Sequence, residues 1–186
     1  MNSETSSATS SNTSSIHLSK AASSSSARTP TPEPYAQSMS PNLPQTILQK
    51  LVNDEKYCRK VLPFIKPEYF EGSHKAVYRI ILDFITKYNK LPTATALSIE
   101  VDNAELNEET YPFAVKIVES LKDNPAVEEQ WMVENTEKWC KDRALFLAIV
   151  ESSKIIEGQV KDKTEGAIPE LLQKALAISF DTSVGH

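Results

Sequence analysis

Few side chains in this sequence have the chemistry to build a reactive centre. The three histidines are His17, His74 and His186; one falls in a Ser-rich stretch and one is the last residue. His74 opens a helical pattern, where a solvated imidazole is the ordinary outcome. The two cysteines, Cys58 and Cys140, sit among core-type residues with no Cys or His at metal-ligand spacing, so they read as buried free thiols rather than as a disulfide or metal pair. Acidic residues cluster at Glu105, Glu108 and Glu109, a pattern that marks a solvated face. The four glycines, Gly72, Gly158, Gly166 and Gly185, fit no G-x-x-x-x-G-K-[ST], G-x-G-x-x-G or G-x-S-x-G run. No phosphate-wrapping loop, nucleophile elbow or nucleophile–base pair is present. The expectation is a chain without an active site, metal or cofactor of its own.

The elements that carry these residues are helical. Residues 1–41 hold 14 Ser, 5 Thr and 4 Pro and almost no large apolar side chains. Such a segment cannot bury enough surface to offset its ordering entropy, so a disordered tail is expected there, with TPTPEP at 29–34 favouring polyproline-like chain. From Leu43 onward the composition is globular and large enough for one core. Periodicity places helices at about 44–52, 54–62, 73–89, 94–101, 108–122 and 127–160. Pro44 suits a first turn, Ser73 is a candidate N-cap, and Thr93 after Pro92 is another. Trp131, Met132 and Trp139 are expected to group on one side of the long sixth helix. No period-two alternation or hairpin dipeptide appears, so the fold class is all-α.

Two segments carry more apolar surface than a small domain uses. Residues 144–150 read Ala-Leu-Phe-Leu-Ala-Ile-Val, apolar all the way round a helix, which calls either for a partner or for a position at the centre of the fold. After Gly158 and Gly166, a last helix at about 169–179 carries the stripe Leu171, Leu172, Ala175, Leu176 and Ile178. That stripe either folds back on this domain or docks on a neighbour. The formal net charge of −5 falls outside the tail and argues against nonspecific nucleic-acid binding. No signal peptide or membrane-length apolar stretch is evident, and the expectation is a soluble, intracellular protein.

The segment from Gln45 to Leu97, with ILQKLVNDEKY, PEYF and KLPTATAL, resembles the N-terminal domain of DnaB-type replicative helicases. Trp131–Val133, Thr136–Lys138, Arg143–Phe146, Ser153–Glu157 and above all GAIPELLQKALAISFDTSVGH at 166–186 resemble the replicative helicases of T4-like phages. The resemblance covers about residues 45–186; the Ser-rich tail departs from it. It implies a helical domain at 42–161 and a linker with a docking helix at 162–186, the chain stopping about where a RecA-type motor domain should begin. The parent would be a hexameric ring moving 5′ to 3′ on DNA, with ATP and Mg held in the motor. Its N-terminal tier pairs as dimers, often a trimer of dimers, and engages primase, with a helicase loader as a further partner, in the host cytoplasm, touching DNA only through the full ring. Carried onto this sequence, Leu145, Phe146, Ile149 and Val150 would form the self-association face. Ile168, Leu171, Leu172, Leu176 and Ile178 would dock on an adjacent motor domain. The alternative is a stand-alone helical adaptor that regulates or loads a separate helicase.

Overall fold

A computed structural model describes residues 42–180; the expected disordered tail at 1–41 lies outside them. The described residues form seven α-helices and no strand. They are α1 (Leu43–Asn53), α2 (Glu55–Val61), α3 (Gly72–Tyr88), α4 (Ala94–Asn103), α5 (Tyr111–Ser120), α6 (Glu129–Ile156) and α7 (Ile168–Leu176). None of them is long and apolar enough to cross a membrane.

Local signals set most of the boundaries. Pro44 occupies the first turn of α1, where its missing N–H costs nothing. Thr93 caps α4 by accepting a hydrogen bond from the Ala96 N–H at 3.1 Å. Asn89 ends α3 in the left-handed region, at φ 51°. The end of α6 is a Schellman turn: the Gly158 N–H reaches Ile155 O at 3.0 Å and the Gln159 N–H reaches Lys154 O at 2.9 Å. Gly158 adopts φ +70° there, which a side chain would resist. This turn stops α6 short of the expected residue 160.

Asp54 links two helices. It terminates α1 and caps α2 by accepting from the Tyr57 N–H at 3.0 Å, while Lys50 Nζ lies 3.2 Å from its carboxylate. The Tyr57 N–H, and after it Lys50, hold the Asp54 carboxyl below its usual pKa. A lowered carboxylate pKa adds stability that is complete above the unfolded value of about 3.9 and is lost as pH falls through the folded value. Asp54→Ala should therefore cost about 1 kcal/mol at neutral pH. Urea melts of variant and wild type should converge as the pH drops below the carboxylate range.

Ser73 is not the cap expected of it. The helix starts one residue earlier, at Gly72 with φ +50°, and no side chain caps it. The Ser73 hydroxyl instead donates to Thr110 O at 3.2 Å, tying α3 to the start of α5.

The core joins the first six helices. Ile47, Leu48 and Leu51 from α1, Val77, Tyr78 and Ile81 from α3, and Leu97 and Val101 from α4 are all essentially inaccessible. The N-terminal half of α6 supplies Met132, Trp139 and Cys140. Trp139 meets Phe70 at 4.8 Å between ring centroids and Tyr69 edge-on at 6.1 Å. The Thr136 hydroxyl donates to Met132 O at 2.7 Å, leaving the Tyr57 hydroxyl, 2.7 Å away, to donate to Thr136. Tyr57→Phe should cost about 1 kcal/mol, the net value of one buried hydrogen bond, read as a shift in the urea midpoint at constant m-value. Trp131 departs from the expected grouping. It stands 100° round the helix from Met132 and is 49% exposed.

Candidate protein–protein interface on the long helix

Cys58 and Cys140 are free and buried, and burial pushes their thiols up to about 11 and about 12, far from thiolate at neutral pH. His74 is half-buried; burial lowers its pKa, and its Nε2 sits 3.1 Å from Gln45 Oε1. No group of His, Cys, Asp or Glu among the described residues could hold a metal ion. What the fold does organise is surface, and the most distinctive surface runs along α6.

The C-terminal half of α6 extends past the core, and α7 folds back against it. The Schellman turn at Gly158 reverses the chain, and Lys163 meets Glu151 of α6 at 3.0 Å on the return. On the side that α7 covers, Ala148, Ser152 and Ile155 are buried at i, i+4 and i+7, and Ala175 of α7 is buried with them. Beyond α7 the chain rejoins the body of the domain. Phe180 is 6% exposed and stacks on Phe64, with centroids 4.6 Å apart. Between α6, α7 and the segment 63–69 lies an open groove of about 700 Å³, floored by Phe64, Leu147, Ala148, Leu171 and Ile178.

The flank beside that side is open at two positions: Ile149 is 47% exposed and Ile156 is 65% exposed, while Leu145 between them and the core is half-buried. The run at 144–150 thus divides into one face met from within by α7 and one left open.

The residues expected to pair and to dock fall as follows. Leu145 and Ile149 lie on the open face. Phe146 is half-buried under the Arg143 guanidinium, which sits 5.2 Å above its ring. Arg143 is itself 9% exposed and pairs with Glu71 at 2.7 Å, while its Nε has no hydrogen-bond partner among the described residues. Val150 lines the groove rather than the open face. Ile168, Leu171, Leu172 and Ile178 are half-buried, and Leu171 and Ile178 line the groove between α7 and α6. Leu176 is 66% exposed. Ile156 is an open-face residue that the sequence reading passed over; its spacing of seven from Ile149 was the available signal.

No family model matches the chain. It is 35% identical over 154 residues to the DnaB-like replicative helicase of Enterobacteria phage T4, a match that takes in 76% of this chain and 32% of the relative. The chain therefore spans about a third of the length of the curated relative it matches. Together with the strandless helical fold, this defines an all-α domain of the DnaB N-terminal type. The matched part of the chain belongs to the DnaB-like replicative helicase family.

Proposed function

We propose that this chain is an assembly domain of a replicative DNA helicase, joining copies through the open face of α6 and offering the resulting tier to primase. The observation that carries the reading is the exposed apolar pair Ile149 and Ile156, one heptad apart on α6 and flanking the side that α7 covers. Apolar side chains aligned at helical spacing and left in water are the pattern of a helix that pairs with another. The family of the matched relative supports the context. In this reading ATP and Mg belong to a RecA-type motor domain, and these residues hold partners rather than perform chemistry. α7 braces α6, with Leu176 as the part of its stripe free to dock on a neighbouring motor domain.

Sedimentation equilibrium tests the self-association. The wild-type chain should show concentration-dependent pairing. Ile149→Asp should weaken it about 30-fold, the loss expected when a well-packed interface anchor worth about 2 kcal/mol is replaced by a charge. Ile149 is exposed in the single chain, so the substitution should leave the helical circular dichroism unchanged. Identical sedimentation of the two proteins would refute the assignment.

A further inference from the structure

The open face of α6 is longer than its apolar end. Residues 131, 135, 138, 142, 145 and 149 follow one another in steps of four and three, the spacing of a coiled-coil seam. Their side chains are Trp131, Asn135, Lys138, Asp142, Leu145 and Ile149. Trp131, Lys138 and Ile149 are exposed, and Asn135, Asp142 and Leu145 are half-buried. The seam thus faces outward along about 27 Å of helix, at 1.5 Å per residue. Lys138 and Asp142 stand at i and i+4, yet neither takes part in an ion pair among the described residues.

We infer that two copies of this chain pair through α6 in an antiparallel register centred between Lys138 and Asp142. A two-fold axis there sets Lys138 of each copy opposite Asp142 of the other. The same operation sets Trp131 opposite Ile149 and Asn135 opposite Leu145. The seam then has two charge pairs at the middle and an aromatic–aliphatic contact at each end, with Asn135 beside Leu145 between them. Parallel pairing sets Lys138 against Lys138 and Asp142 against Asp142, which like-charge repulsion disfavours. Sliding the antiparallel register by one seam step sets Lys138 against Ile149 and Asp142 against Leu145, burying charge against apolar surface. Of these three arrangements, only the first brings the opposite charges together.

This inference rests on the self-association proposed above and adds its direction and register. Two experiments on the full 186-residue chain test it. Lys138→Glu and Asp142→Lys, at positions without ion partners in the single chain, should each weaken pairing about tenfold, the scale of two reversed rim charge pairs. The double variant should return to within about threefold of wild type, because the opposite charges again face each other across the axis. In mild oxidant, a mixture of Trp131→Cys and Ile149→Cys chains should form a disulfide-linked heterodimer, while Trp131→Cys alone should not cross-link. Pairing that persists without the mixed cross-link, or a double variant weaker than both singles, overturns the register and leaves self-association standing. A chain that is monomeric throughout overturns both. A mixed cross-link with charge-swap rescue supports the register.

Discussion

Trp139→Ala should remove about 4 kcal/mol of folding stability, the upper part of the range for deleting a large buried aromatic. Trp139 is 2% exposed and packs between Phe70 at 4.8 Å and Tyr69 at 6.1 Å, where α6 crosses the turn leading into α3. Ala at this position leaves a cavity walled by two rings that α3 and the preceding turn hold in place, so collapse around it is limited. Against a typical total of about 5–15 kcal/mol, the loss should bring the urea midpoint down by about a quarter or more. Trp139→Phe should behave differently. The indole Nε1 has no hydrogen-bond partner among the described residues, so Phe keeps much of the ring packing and removes an unpaired buried donor. Its cost should stay under about 1.5 kcal/mol. If Phe is as damaging as Ala, the ring contacts are not what Trp139 supplies.

Phe180→Ala should cost about 3 kcal/mol, and the loss should be local in character. Phe180 is the point at which the chain beyond α7 re-enters the core, stacked on Phe64. Without it, this end of the chain keeps the packing of Ile178 on the core, the contacts of α7 with α6 and the Lys163–Glu151 pair. That pair is more than a third exposed on the lysine side and contributes little. Hydrogen exchange should then rise sharply across 165–180 and in the facing turns of α6 around Ala148 and Ile155. The amides of α3 and α4 should keep their protection. Unchanged exchange in α7 would mean that its packing on α6 stands without the Phe180 anchor.

The sequence was most informative where a local signal decides the structure. Pro44 and Thr93 mark helix starts through their own backbone and hydroxyl chemistry, and both act as their types suggest. Ser73 shows the limit of such signals: the chain enters α3 from a positive-φ turn at Gly72, and the hydroxyl is drawn to Thr110 O, 37 residues away. Trp131 and Met132 are adjacent in sequence but 100° apart on the helix. Only the packing of neighbouring elements decides which of them turns inward, and Met132 does. The run at 144–150 could be recognised as excess apolar surface, but its period is the same all round. The division into a covered and an open face depends on where the turn at Gly158 sends α7. The stripe of α7 was legible for the same reason that its cover was not: amphipathic spacing is local, whereas the surface that meets it is chosen by tertiary structure.

Side-chain footprinting by hydroxyl radicals over a range of protein concentrations tests the central claim most directly. Modification of Trp131, Leu145, Ile149 and Ile156 should fall as concentration rises and copies pair through the open face of α6. Leu147 and Ile155, on sides of α6 that face the core and α7, should show low modification at every concentration. Concentration-independent modification of the open face, or protection appearing instead at exposed Ile99 and Tyr88 on the α3–α4 side, would contradict an assembly role for α6.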